Sequence, residues 1–315
     1  MKKYFSLFLL IVPILIFTGC SSILGNLNDG SGELALFIAD RPVNNVDKVL
    51  VSLSEVQVKR DNSPWETIND FNEYDGEKEF DLLTLRFGEA LLGQKTLPSG
   101  QYSEIRLIVA ADEDGNPGLN AGKSRVIYND GSEEAIFIPS GTQTGLKINH
   151  NFTIQDGSFT RLILDADVSK IMHAAGNSGN IILRSTAIEV VDKVISGNIE
   201  GRVVGDNNED EINYEAIKDS DVLIQAIQED EVIKSTVALA NESIQLIDGE
   251  EVLKEAGTFF LRGLSEGNYK IKAFIVDDEG NEDLNSIYQS STINDIEVKA
   301  EQTTLINEDI ILEKR

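Results

Sequence analysis

Leu97-Pro98-Ser99-Gly100-Gln101-Tyr102-Ser103-Glu104-Ile105-Arg106-Leu107 returns later in the same chain as Leu264-Ser265-Glu266-Gly267-Asn268-Tyr269-Lys270-Ile271-Lys272-Ala273. In each copy a glycine supplies the backbone freedom for a turn and a tyrosine two residues on opens a strand. Apolar residues then alternate with polar ones at the period of a half-buried β-strand. Two copies in two settings predict two β-domains, each large enough to bury a core without staples.

Outward from the first copy, the flanking segments read as further strands. Gly32–Asp40 is a first strand, stopped by Arg41-Pro42. Val49, Val51 and Leu53 share one parity and Val56 and Val58 the other, which predicts a β-bulge near Ser54-Glu55. Trp65, the only tryptophan, is expected to be partly buried and not a ligand platform. Gly88–Gly93 reads as a helical turn and Val168–Ala175 as a short helix. Phe159–Asp165 reads as a strand and Ile181–Val191 closes the first domain. Lys193–Ser196 is the boundary, and a second strand series starts at Ile195 and ends on Ile306–Leu312.

The N-terminus has a different character. Met1-Lys2-Lys3 and the apolar run Tyr4–Phe17 have the layout of a secretory signal too short to span a bilayer comfortably. The run ends in Ile16-Phe17-Thr18-Gly19-Cys20, which resembles the bacterial lipobox. The resemblance implies cleavage before Cys20 and lipid attachment to it, and Cys20 is the sole cysteine. Two or three acyl chains, at roughly 0.8 kcal/mol per buried methylene, hold a protein on a membrane almost permanently. Ser21–Gly32 then reads as a flexible tether. The organisation is therefore 1–19 signal peptide, 20–31 tether, 32–193 N-terminal β-domain and 194–315 C-terminal β-sandwich. The fold class is all-β, with two β-sandwich-type domains in tandem.

The formal charge is -27, and loss of Lys2 and Lys3 with the signal leaves -29. Such an excess repels nucleic acid and anionic headgroups and excludes both as partners. It leaves a membrane held through the lipid, and envelope proteins or glycans, as partner classes. One tryptophan is little material for stacking sugars.

Leu36–Pro42, Val49–Val58, the opening motif, Ile138–Lys147 and Leu162–Asp167 resemble, in that order, the signature segments of the domain-of-unknown-function family 4382, found in bacterial envelope proteins and lipoproteins. The likeness covers about residues 32–192. It implies a fold and a location, with no chemistry attached. Ile195–Val203, Gly257–Leu264 and the second motif copy are similar to the carboxypeptidase regulatory-like (prealbumin-like) β-sandwich. Two acidic loops, Asp206–Glu215 and Asp277–Asp283, interrupt that likeness and belong at the sandwich rim.

Catalytic material is sparse. His150 and His173 are far from any nucleophile in sequence, and no Gly-x-Ser-x-Gly elbow is present. Gly141–Lys147 lacks the Gly-Lys-Ser/Thr ending of a phosphate loop and precedes a strand. Asp165-Ala166-Asp167 is expected to end a strand and to pair with Arg106 or Lys147. Calcium is the one metal with a partial ligand pattern: Asp277, Asp278, Asn281 and Asp283 in one loop, Asp112, Asp114 and Asn116 in another, each around a glycine. Neither loop completes the twelve-residue pattern, and a solvated turn is the competing reading at both.

The expectation is a non-enzymatic envelope lipoprotein acting as a binding, scaffolding or adhesion module, on the outer membrane in a Gram-negative host because Ser21 and Ser22 follow the cysteine. The rivals are a hydrolase or accessory subunit using paired carboxylates, and a calcium-stabilised spacer.

Overall fold

The computed structural model describes residues 30–41, 46–71, 77–110, 123–142, 144–172, 181–206, 212–218, 220–277 and 280–315. It is all-β apart from single helical turns. The first twelve strands are β1 (Ser31–Arg41), β2 (Val46–Arg60), β3 (Trp65–Asp70), β4 (Lys78–Asp81), β5 (Ala90–Pro98), β6 (Gly100–Val109), β7 (Arg125–Tyr128), β8 (Glu133–Phe137), β9 (Leu146–Ile154), β10 (Phe159–Asp167), β11 (Ile181–Ile182) and β12 (Ile188–Asp192). They form a four-stranded sheet in the order β12-β10-β1-β5 and an eight-stranded sheet along β11-β8-β7-β2-β6-β9, where β3 and β4 also pair with β2. The alternating apolar faces of the two sheets enclose one core, from Leu34 to Ile188.

The phase change in β2 is a bulge: its register against β6 shifts between Leu53 and Glu55. Val49, Val51 and Leu53 before it and Val56 and Val58 after it are therefore all buried. The helical turn lies earlier than Gly88–Gly93. Asp81 accepts a hydrogen bond from the Leu83 N–H at 3.2 Å and caps a 3-10 turn over Leu82–Leu85, while Ala90–Pro98 is a strand paired with β1. The helix after β10, α1, covers Val168–Met172.

The remaining strands are β13 (Ser196–Asp206), β14 (Ile212–Asn213), β15 (Val222–Gln228), β16 (Glu231–Val237), β17 (Ser243–Ile247), β18 (Glu250–Lys254), β19 (Thr258–Ser265), β20 (Gly267–Ile275), β21 (Ser291–Val298), β22 (Thr303–Leu305) and β23 (Ile310–Glu313). Here β13 is flanked by β19 on one side and by β22 and β23 on the other, the second sheet runs β16-β15-β20-β21, and β17 and β18 form a separate hairpin. A second core fills the space between, from Ile199 to Leu312.

The repeated motif does the same task in both halves. It carries the chain from one sheet to the other, β5 to β6 and β19 to β20, across a single connecting residue. Gly100 and Gly267 adopt φ of 144° and 148°, a region closed to most side chains. The hydroxyls of the buried Tyr102 and Tyr269 donate to the carbonyls of Pro98 and Ser265, each at 2.9 Å. That bond fastens the strand that enters the turn to the strand that leaves it.

Candidate functional site at the domain junction

Two arginines interrupt apolar runs, in Leu85-Arg86-Phe87-Gly88 and in Phe260-Leu261-Arg262-Gly263. Neither charge can point to water without turning its apolar neighbours outward, and the fold buries both between the halves of the chain. The 3-10 turn Leu82–Leu85 ends with carbonyls that have no partner inside the turn. Arg262, from β19, satisfies them: its Nη2 donates to the carbonyls of Leu85, Arg86 and Gly88 at 3.4, 3.2 and 2.8 Å. Arg86 reciprocates by donating through Nη2 to the carbonyl of Val237 on β16.

The hairpin β17–β18 completes the clasp. Gln245 donates to the Leu83 carbonyl at 3.1 Å and accepts from the Arg86 N–H at 3.2 Å. Around these bonds Phe87, Leu239 and Phe260 form a small apolar cluster with Ile247 packed against it. Gly88 is needed for the approach, since a Cβ there would sit 1.9 Å from the Leu246 carbonyl oxygen. On the other side of Arg262, Gly263 at φ 72° packs against Val191.

The charges beneath come from both halves. Asp165, fully buried at the end of β10, lies 3.6 Å from Arg262 Nε and 3.7 Å from Lys234 Nζ. Lys234 also reaches Glu189 at 3.0 Å, and Glu89 pairs with Lys193 and, at 3.8 Å, with Arg262. Asp40, at the end of β1, is buried with both carboxylate oxygens lacking a hydrogen-bond partner. Burial holds its pKa well above the ordinary range; Arg86 and Arg262 pull it down, and Asp165 and Asp167 push it up. Burial also lowers the Arg86 guanidinium to about 9, which leaves it protonated at neutral pH.

A cleft of about 390 Å³ opens beside the junction, lined among others by Asp167, Ser169, Glu189, Val232, Lys234 and Thr236. Its carboxylates are held by lysines, Glu189 by Lys234 and Asp167 by Lys170 at 3.2 Å. The deeply buried pair, Asp40 and Asp165, does not line it.

The expected partner of Asp165 is corrected by this geometry. Arg106 and Lys147 sit on the far sheet, where Arg106 Nε donates to Gln57 at 2.7 Å and both cations lie by the Trp65 ring. In the Asp277 loop, the Asp277 carboxylate accepts from the Asn281 N–H at 2.9 Å and Asp283 from the Asn285 N–H at 2.9 Å, so each caps its own turn. Among the described residues no group of three or more His, Cys, Asp or Glu converges as a metal site. Cys20, Asp112, Asp114, Asn116, His173 and Asp278 lie outside the described residues. His150 is half-buried on β9 and stacks on Phe152.

Residues 31–185 match the family model described as Domain of unknown function (DUF4382), over nearly the span that the sequence resemblance marks. No curated protein matches the chain. Among solved structures, the chain is similar to the minor pilin GBS52 of Streptococcus agalactiae, at 12% identity over 89% of this chain and 96% of that chain, with a TM-score of 0.21. It is similar to the shaft pilin SpaA of Lactobacillus rhamnosus GG, at 10% identity over 90% and 98%, with a TM-score of 0.22. A candidate adhesin of Bacteroides ovatus matches at 9% identity over 95% and 99%, with a TM-score of 0.20. Scores this far below 0.5 decide neither fold nor function for this chain, and the fold rests on the strand pairings above.

Proposed function

We propose that the protein is a non-enzymatic cell-envelope lipoprotein, anchored through Cys20, whose two β-domains are locked into one unit that works as a binding, scaffolding or adhesion module. In this reading the C-terminal half is a unit of the carboxypeptidase regulatory-like type and the outer membrane is the destination in a Gram-negative host. The observation that carries it is the junction. Arg262 and Gln245 of one half hold the backbone of the other, with buried ion pairs beneath. Such a joint fixes the orientation of a second domain on the first, which a display module needs and a pair of independently tethered domains lacks.

Placement supports the same reading. Residue 30 leads into the start of β1, level with Pro98, while the junction gathers at its other end, around Asp40 and Asp165. A membrane tether and the second domain therefore meet opposite ends of β1. The test is crosslinking in intact cells with identification of what is captured, run beside a Cys20→Ala variant. The expected outcome is a specific envelope partner for the wild type and loss of the protein from the membrane fraction for the variant. A variant that stays in the membrane removes the anchor, and a wild type that captures nothing removes the binding role.

A further inference from the structure

The outward face of the eight-stranded sheet carries a feature that the domain junction does not use. Register places Trp65 of β3 opposite Lys59 of β2, Gln57 opposite Arg106 of β6, and Arg106 opposite Lys147 of β9. These side chains therefore share one face across four neighbouring strands, about 14 Å at ~4.8 Å per strand spacing. Trp65 is half-buried. Three cations surround its ring: Arg106 at 4.1 Å from the centroid, Lys59 at 5.7 Å and Lys147 at 6.0 Å.

That concentration is anomalous in a chain of charge -27. Three carboxylates share the face: Glu104 paired with Lys59 at 3.0 Å, Glu55 accepting from Thr67 and Gln57, and the exposed Asp70, opposite Glu55 and away from Lys147. Arg106 is steadied by a neutral amide, Gln57, and Lys147 is exposed and makes no ion pair among the described residues. The face thus presents a ring and, on its β6–β9 side, two cations, Arg106 and Lys147, that make no ion pair among the described residues. Against the expectation that Trp65 is not a ligand platform, a half-buried tryptophan on an outward sheet face suits the apolar face of a sugar ring. Lys147 and Arg106 suit a carboxylate carried on that sugar. A densely charged polyanion would overrun this small face onto acidic surface, so charge complementarity selects a sparsely charged polymer.

We propose that this face is a binding site for an acidic polysaccharide of the uronate class, with a sugar ring against Trp65 and its carboxylate on Lys147 and Arg106. The proposal names a partner class for the binding role above and rests on that reading. Its test is made in vitro, so its failure leaves the crosslinking and anchoring results to stand or fall separately.

Trp65 is the only tryptophan, which makes intrinsic fluorescence a reporter of this one face. The full mature protein in detergent is titrated with polygalacturonate, with its methyl-esterified neutral form, and with polyglutamate. The expected result is a saturable change in tryptophan emission with polygalacturonate that weakens with salt. Lys147→Glu, an exposed change that leaves the core intact, is expected to weaken it at least tenfold. An unchanged emission overturns the proposal, as does undiminished binding by Lys147→Glu. Equal binding of the methyl-esterified polymer overturns the acidic class, and equal binding of polyglutamate overturns the sugar. Lys147→Arg is expected to restore binding.

Discussion

The N-terminal and C-terminal halves share a skeleton that their sequences barely advertise. In the first, β1 lies between an antiparallel β5 and a parallel β10, the motif crosses to β6, and β6 lies between β2 and β9. In the second, β13 lies between an antiparallel β19 and the parallel β22 and β23, the motif crosses to β20, and β20 lies between β15 and β21. What differs is the addition. The first half extends β2 to fifteen residues, so that it pairs with β3, β4, β6 and β7. The second adds the hairpin β17–β18 and commits it to the first half. The motif copies are thus the crossing point of one shared strand order. The two halves diverge in how they meet a neighbour.

Four experiments probe how far the likeness between the halves extends and where it stops. The strongest response is expected from Arg262→Ala, which leaves three carbonyls and the buried Asp165 without this partner. Removing one member of a buried ionic set typically costs about 3–5 kcal/mol. Thermal unfolding should separate into two transitions, one for each half. A single unshifted transition would show that the halves do not depend on the joint.

Next is Asp40→Asn, read against pH. The folded pKa of Asp40 lies above its unfolded value. Its contribution to stability is therefore fully present below about pH 3.9, the unfolded value, and is lost as pH rises through the folded pKa. The variant should gain on the wild type from mild acid toward neutrality, by roughly 1.4 kcal/mol for each pH step between the unfolded and the folded pKa. Denaturant titrations at several pH values check the slope, and a constant difference would contradict it.

Tyr102→Phe and Tyr269→Phe each remove one hydroxyl-to-carbonyl bond of the same length. Each is expected to cost about 1 kcal/mol, and by similar amounts. Denaturant midpoints of the two variants measure whether the shared skeleton is also energetically shared. The weakest response is expected from a calcium chelator. Asp277 and Asp283 already accept backbone N–H groups, so the melting curve is expected not to move, and a lowered midpoint would support the calcium-stabilised spacer.

Local patterns made much of the fold legible. The parity switch between Leu53 and Val56 marked the bulge, and the Gly-x-Tyr turns marked the sheet crossings. The 3-10 turn was harder to read because Leu82-Leu83-Thr84-Leu85 looks like a strand, and the informative residue is the preceding cap, Asp81. The junction was illegible for a different reason. Arg262 and its carbonyl partners are more than 170 positions apart, and Gln245 and Leu83 are 162 apart, so no spacing rule connects them. The usable signal was a lone arginine inside an apolar run, at Arg86 and again at Arg262. Arg106 and Lys147 are nearer to Asp165 in sequence but face away from it, and its partners, Lys234 and Arg262, come from the other half. Trp65 is half-buried, as its neighbourhood in sequence predicts, yet the cations around it come from three other strands.

The hairpin β17–β18 also sets an order of events. It is built from residues that follow the whole N-terminal half along the chain, yet it supplies the partner for the Leu83 carbonyl and the Arg86 N–H. Until the second half is made, the Leu83 carbonyl and the Arg86 N–H lack Gln245, and Asp165 lacks Lys234 and Arg262. During synthesis from the N-terminus, docking of the hairpin therefore removes water from the end of the Leu82–Leu85 turn. A chain interrupted before Ser243 would hold a first half whose strands are paired but whose docking face is still wet.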